Sequence, residues 1–329
     1  MMLATMLLVL VAVQAQPVTG SDDHPVSLSS DEPITPIPLR IDIDLAKVHL
    51  GEQLFHDVRL SHDNVMACTN CHHLEAGGAD TLPHPLGRDG QPLDFNTPTV
   101  FNAAQNFRFN WRGEFRTLEE QINAVLLNPR LMNVNWKELL AQLRADPNYR
   151  EAFAALYLGS LESAQVLDAI ASFERSLLTP NARFDQYLRG QYDALTEEEQ
   201  RGYQLFKSYG CVACHQGVNV GGNMFQKFGI FQRPFSQRVT TAADLGRFTL
   251  TGNERDRFVF RVPSLRNVAV TAPYFHDGGA STLEQAVGTM ARAQLGRVLT
   301  EEEISLIVKF LHTLTGEYQG HPLSAGTLP

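Results

Sequence analysis

Two short runs constrain this chain more than any other feature: Cys68-Thr69-Asn70-Cys71-His72 and Cys211-Val212-Ala213-Cys214-His215. Together they use all four cysteines of the 329 residues. Two thiols two residues apart can each form a thioether to one porphyrin, and the histidine that follows reaches its iron. Cys-x-x-Cys-His is therefore the attachment pattern of a c-type haem. A zinc ribbon would need both cysteine pairs to converge on one ion, and it leaves the histidine after each pair unexplained. A thioredoxin-like dithiol fails on the same histidines. The expectation is two covalently bound haem c groups, one on Cys68 and Cys71, the other on Cys211 and Cys214. His72 and His215 are the expected proximal iron ligands.

The chain is long enough for two domains of ordinary size, and 43% hydrophobic residues suffice for their cores. A formal charge of -9 argues against nucleic acid as a partner, since a polyanion recruits a basic surface. Residues Met1 to Ala15 are nearly all apolar, with Leu7 to Val13 as a signal-peptide core and a cut after Ala15, although a basic leading segment is missing. The run is short for a bilayer span. With haem attachment, which itself favours an extracytoplasmic site, this predicts a soluble periplasmic protein.

Residues 16–40 are rich in Pro, Asp and Ser and read as an N-terminal arm. Apolar stripes at helical spacing predict helices from Leu45 to Phe55 and over 117–127, 136–158 and 162–178. Residues 185–193 read as a polar connector. Thr196 with Glu199 and Thr300 with Glu303 are capping boxes that open two further helices. A short helix is predicted from Thr282 to Ala291, and Gly316 follows the last helix. Long alternating patterns are absent, so the class is mainly α. Gly202-Tyr203-Gln204-Leu205-Phe206 echoes Gly51-Glu52-Gln53-Leu54-Phe55, each just before a haem motif, which suggests two related cytochrome c-like haem domains with long loops. The interval to the motif is thirteen residues in the first half and five in the second, an insertion before the first haem. The predicted organisation is a signal peptide over 1–15, the arm over 16–40, haem domains over 41–185 and 196–317, and a tail over 318–329.

Each iron also needs a decision on its far face, because an open position admits peroxide and a filled one favours electron transfer. A thioether there raises the potential; Met224 and Met290 are the methionines after His215, and spacing alone does not choose between them. Several segments now carry a resemblance: Leu54 to Ser61, Asn96-Thr97-Pro98-Thr99-Val100-Phe101-Asn102, Val262 to Asn267, Thr271 to Gly278, and Met290 with Gln294-Leu295-Gly296, beside the two haem motifs. From Leu45 to Gly316 the chain resembles the bacterial di-haem cytochrome c peroxidases, a family that includes the MauG-type tryptophan-modifying enzymes.

The resemblance implies a peroxidatic N-terminal haem and a high-potential C-terminal haem that receives electrons. It implies Met290, fourteen residues after His276, as distal ligand of the second iron. The MauG-type enzymes place a tyrosine there. It implies Trp111 as the residue between the haems, and a calcium ion held by Asn96 and by the carbonyls of Thr271 and Pro273. The implied reaction is reduction of hydrogen peroxide with electrons from a small c-type cytochrome or cupredoxin, in a homodimer. Electrons enter at the His215/Met290 haem and pass by Trp111 to the His72 haem.

Two positions depart from the family. The distal histidine expected sixteen residues after His72 is Arg88, and the nearest histidine, His84, is a possible distal ligand. The acid-base glutamate expected 59 residues after His72 is Leu131, which moves no proton. Glu114 and Gln121 are candidate replacements, with Glu119, Glu120 and Arg130 nearby. Two alternatives stay open: a MauG-like oxidase that modifies a partner protein, and a non-catalytic di-haem electron-transfer cytochrome.

Overall fold

A computed structural model describes residues 32–233 and 238–325. The predicted signal peptide and most of the arm lie outside these residues. Ten α-helices, several single 3-10 turns and two two-stranded sheets make up the described residues, a mainly helical architecture.

In the first half, α1 (Leu45–Phe55) opens on Asp44, whose carboxylate accepts from the N–H groups of Ala46 and Lys47. It packs along α5 (Ser163–Ser176), with α2 (Leu118–Leu127) against the other flank of α5. Leu50, Leu54 and Phe55 from α1 meet Val166, Ile170 and Phe173 from α5, all at most 2% exposed. The helix predicted over 136–158 is two helices, α3 (Trp136–Ala145) and α4 (Pro147–Leu156). Asp146 ends the first and caps the second, and Pro147, without an N–H, takes the first position of α4.

In the second half, α7 (Glu197–Ser208) and α10 (Glu301–His312) form the corresponding pair, both opened by the Thr/Glu capping boxes read from the sequence. Tyr203, Phe206, Ile307, Phe310 and Leu314 form their shared core. The predicted connector over 185–193 is in part helical: α6 (Arg183–Leu188) buries Phe184 in that core and Asp185 beside Arg266, 2.7 Å away with both side chains fully covered. A charged residue inside an amphipathic turn hides the helix from a polarity reading. The strands β1 (Phe225–Lys227) and β2 (Val259–Arg261) pair antiparallel, with the single turn α8 (Phe248–Thr251) between them. The helix α9 runs from Leu283 to Leu295, one turn beyond expectation, and stops at Gly296 with φ +62°. The second sheet, β3 (Glu317–Tyr318) with β4 (His321–Pro322), closes the C-terminal end.

The end of the arm crosses onto the second half. Ile34 enters the core with Phe184 and Phe310, Gly217 N–H donates to the Pro33 carbonyl, Arg266 donates to the Thr35 carbonyl and Arg189 to that of Ile37. Among the described residues no helix is long and apolar enough to cross a membrane.

Candidate haem sites

Both Cys-x-x-Cys-His runs take the same local shape. Cys68–Asn70 and Cys211–Ala213 are 3-10 turns, and the N–H of His72 and of His215 each reaches back 3.0 Å to the carbonyl of the first cysteine. That compact turn puts both thiols and the imidazole on one ligand-sized patch. The Nδ1 of His72 lies 3.1 Å from the Gly78 carbonyl and that of His215 lies 3.3 Å from the Val220 carbonyl. Nδ1–H donates there, which leaves the Nε2 lone pair for a metal, the usual arrangement behind a ligating histidine. Burial lowers the pKa of both imidazoles, that of His215 to about 4, so both are neutral near pH 7.

The thiols also discriminate among the readings. Burial pushes Cys71 and Cys211 up to about 11 and Cys68 higher still. A catalytic dithiol needs the opposite shift. All four cysteines are unpaired, and among the described residues they do not gather into a metal cluster, so neither alternative has support in the geometry. Free thiols beside a neutral imidazole fit covalent haem at both turns.

The helix pairs hold these turns by one device used twice. A Cβ on Gly51 would stand 1.9 Å from the Ala169 carbonyl oxygen, and one on Gly202 would stand 2.0 Å from that of Leu306. Only glycine lets the helix backbones touch there. Four residues on, Phe55 sits 5.1 Å from Phe173 and 6.5 Å from His72, ring centre to ring centre. Its counterpart Phe206 sits 5.2 Å from Phe310 and 6.5 Å from His215. The Gly-x-x-x-Phe echo thus sets the helix crossing and the wall behind each histidine.

A second repeat, unaligned in the sequence reading, joins the halves. Pro98-Thr99-Val100-Phe101-Asn102 parallels Pro263-Ser264-Leu265-Arg266-Asn267. Thr99 and Ser264 each accept, at 3.0 Å, from the N–H two residues on, and Asn102 and Asn267 both stand at positive φ, 57° and 61°. Asparagine tolerates that left-handed conformation. The two amides meet at one buried hydroxyl: Nδ2 of Asn102 donates to Thr179 Oγ1 at 2.7 Å and Nδ2 of Asn267 does so at 2.9 Å.

Beside His215 lies a cavity of about 260 Å³, with Cys211 and Cys214 on its wall. Met290 on α9 lines it, as do Trp111, Asn96, Thr271 and Pro273. The Trp111 indole N–H donates to the Asn96 carbonyl at 2.8 Å, and its ring lies edge-on to His276, 6.4 Å between centres. Asn96 spends its amide hydrogen on the Leu82 carbonyl at 2.8 Å, which leaves Oδ1 as the atom it can offer a cation. Oxygen donors on Asn96, Thr271 and Pro273 suit calcium. His276 is buried and hydrogen-bonds Asp244 at 2.8 Å; Arg238 spans Asp244 and Asp277 at 2.6 and 2.5 Å. This locks the Tyr274-Phe275-His276 segment beneath Trp111.

The first site differs. The inserted segment before Cys68 turns on Ser61, whose Oγ accepts from Val65 and Met66 N–H, and His62 N–H donates to the Met132 carbonyl. Arg88 holds Asp63 of that segment at 2.7 Å, and its own N–H donates to the Arg130 carbonyl at 3.0 Å. Positions 88 and 131 are therefore neighbours, and the insertion reaches Arg88 through Asp63 and Met132 through His62. His84, on the same loop, has a buried Nδ1 without a hydrogen-bond partner, as does the buried Nε of Arg88. Gln121 is half-buried on α2. Glu114 binds Arg112 at 2.6 Å, and its second oxygen is buried and unpartnered. Its charge also reaches Arg261, which lines the His215 cavity. Glu119 is tied to Arg175, and Glu120 accepts from Arg116 N–H.

The family model described as di-haem cytochrome c peroxidase matches residues 45–193. The cytochrome c peroxidase Ccp of Escherichia coli strain K12 is 43% identical over 289 residues; the match covers 88% of this chain and 62% of that protein, so this chain spans under two thirds of its length. The cytochrome c551 peroxidase of Nitrosomonas europaea is 43% identical over 292 residues, 88% of this chain and 86% of that one. A crystal structure of a MauG-like protein associated with microbial copper homeostasis superposes with a TM-score of 0.73 at 29% identity, over 88% of this chain and 95% of the other.

Proposed function

The chain belongs to the di-haem cytochrome c peroxidases, a family of peroxidase-type oxidoreductases, and from that premise we propose that it reduces hydrogen peroxide to water with electrons from a small c-type cytochrome or cupredoxin. One observation carries the reading: Trp111, Met290 and His215 line a single cavity beside Cys211 and Cys214. A tryptophan held by Asn96 at the wall of that cavity is suited to pass electrons onward to the first domain. Two haems, attached at Cys68/Cys71 and Cys211/Cys214 within domains 41–185 and 196–317, would supply the redox iron and the O–O bond cleavage.

The protein's own groups do the rest. Neutral His72 and His215 offer Nε2, each aimed by a backbone carbonyl behind it. Met290 offers the thioether that keeps the second site for electron transfer. Asn96 Oδ1 and the carbonyls of Thr271 and Pro273 would hold a calcium ion, a cation suited to oxygen donors. Leu131 carries no proton, so proton delivery falls to Glu114 or to water ordered by Gln121. Arg88 stands in the place of a displaceable histidine, with His84 four residues before it in the chain. The leader over 1–15 takes the mature chain to the periplasm, where it acts as a homodimer.

Leu131 also favours a second reading, a MauG-like oxidase acting on a partner protein, whereas Met290 favours the peroxidase. The test is peroxide-dependent oxidation of a reduced small c-type cytochrome, run on fully oxidised and on half-reduced protein. Turnover from the oxidised protein supports a peroxidase whose first site is open without a switch histidine. Turnover only after half-reduction assigns His84 the switch. Two low-spin haems inert to peroxide in both states refute the enzymatic reading.

A further inference from the structure

The internal repeat extends along α5 and α10. Ala169, Phe173 and Leu177 correspond to Leu306, Phe310 and Leu314. The first of each meets the glycine of the partner helix, the second packs its ring at a steep angle against the phenylalanine behind the histidine, and the carbonyl of the third accepts from the N–H of Asn102 or Asn267. In this register Glu174 corresponds to Leu311. Leu311 lines the cavity beside Cys211 and His215. Its counterpart is a carboxyl group, 7% exposed, whose charge reaches the Cys68 thiol.

Among the described residues no side chain donates to the Glu174 carboxylate. Arg175 on its own helix and Glu119 on α2 bear on it, but those two are paired with each other at 2.5 Å. On the α1 side Lys47 is held by Asp168 at 2.7 Å. Burial, the largest influence, raises its pKa to about 8.

We propose that Glu174 is the redox-linked proton site of the first haem domain, an assignment that rests on haem attachment at Cys68 and Cys71. A haem held at Cys68 and Cys71 would lose one positive charge on taking up one electron, with the carrier as the reductant. The carboxylate then takes one proton from water, and it returns that proton on reoxidation. The C-terminal domain, with Leu311, has no such group at this position. The asymmetry gives the two halves different pH behaviour from one repeated architecture.

The test begins with mass and pyridine-haemochrome analysis of the peptide carrying Cys68 and Cys71; absence of haem there refutes the attachment reading instead of this one. On loaded protein the midpoint potential of the His72 haem is then measured from pH 6 to 9.5, in wild type, Glu174→Gln and Glu174→Leu. Wild type is expected to lose a factor of ten in its reduction equilibrium per pH unit, about 59 mV, across the linked range. Glu174→Gln should be flat there, at the wild-type acid plateau, with the His215 haem unchanged. A flat wild-type profile, or a slope that survives in Glu174→Gln, overturns the proposal. Proton uptake by the wild type, read with an indicator dye at pH 8 in weak buffer, gives a check independent of any variant. Approach to one proton per electron supports the assignment, and no uptake overturns it.

Discussion

Replacing Gly202 by alanine tests whether the repeated helix crossing is what positions each haem turn. In a free helix the change is favourable by about 1 kcal/mol. Here the new Cβ would stand 2.0 Å from the Leu306 carbonyl oxygen and 3.0 Å from Phe310 Cβ, with backbone on one side and a buried ring on the other. Relief requires α7 and α10 to part by more than 1 Å, because real Cβ atoms essentially never come within 3.0 Å of such a neighbour. Parting loosens Phe206 against Phe310, both at most 3% exposed. Overpacking strain of about 1–3 kcal/mol, with further loss from the loosened core, exceeds the helix gain. The expected net destabilisation is about 1–3 kcal/mol, or roughly 3–10 °C in Tm for a unit of this size. Haem-resolved spectroscopy during thermal unfolding should show the His215 site melting first. Gly51→Ala should move the His72 site instead, since its Cβ meets Ala169 in the same way. A Gly202→Ala protein as stable as wild type, or one in which both sites shift together, would refute the argument.

Other consequences are as direct. Thr179→Val keeps the shape but strands the Nδ2 groups of Asn102 and Asn267, each within 2.9 Å of the lost hydroxyl. At about 1–3 kcal/mol per buried orphan, urea unfolding should show a loss of about 2–6 kcal/mol. Met290→Leu should leave cavity and fold intact while the potential of the second haem falls and its sulfur-to-iron absorption band disappears; retention of that band would exclude Met290 as ligand. Burial works against ionised Asp244, yet Arg238, the Thr241 N–H and His276 together hold its pKa well below the usual carboxylate range. A depressed folded-state pKa gives stability that is fully present above the unfolded value near 3.9 and is lost as pH falls through the folded value. Acid unfolding of Arg238→Met should begin at higher pH than that of wild type; coincident acid transitions would show that this cluster contributes nothing.

What could be read from residues alone was whatever the chemistry makes local. The haem turns are legible because five consecutive residues supply every group the attachment needs. The capping boxes at Thr196 and Thr300 are legible because they close within one turn. The break at Asp146-Pro147 was local too, an aspartate cap before a proline, but a continuous apolar stripe over 136–158 outweighed it. The short helix α6 was lost for the opposite reason: Asp185 reads as surface until Arg266, 81 positions later in the chain, is seen to cover it.

The sequence by itself determined the two Cys-x-x-Cys-His turns, the helical class and the doubling of the architecture, because each depends on residues adjacent in the chain or repeated at helical spacing. Only the tertiary structure decided what those residues face. It brought Trp111, Met290 and His215 to one cavity, joined Asn102 and Asn267 at Thr179, set Arg88 beside the loop of Leu131, and buried Glu174 where the other half has Leu311. The physical reason is range. A cap or a thioether turn closes over a few residues, whereas the burial that neutralises a histidine or raises a carboxyl pKa comes from chain segments far apart in sequence.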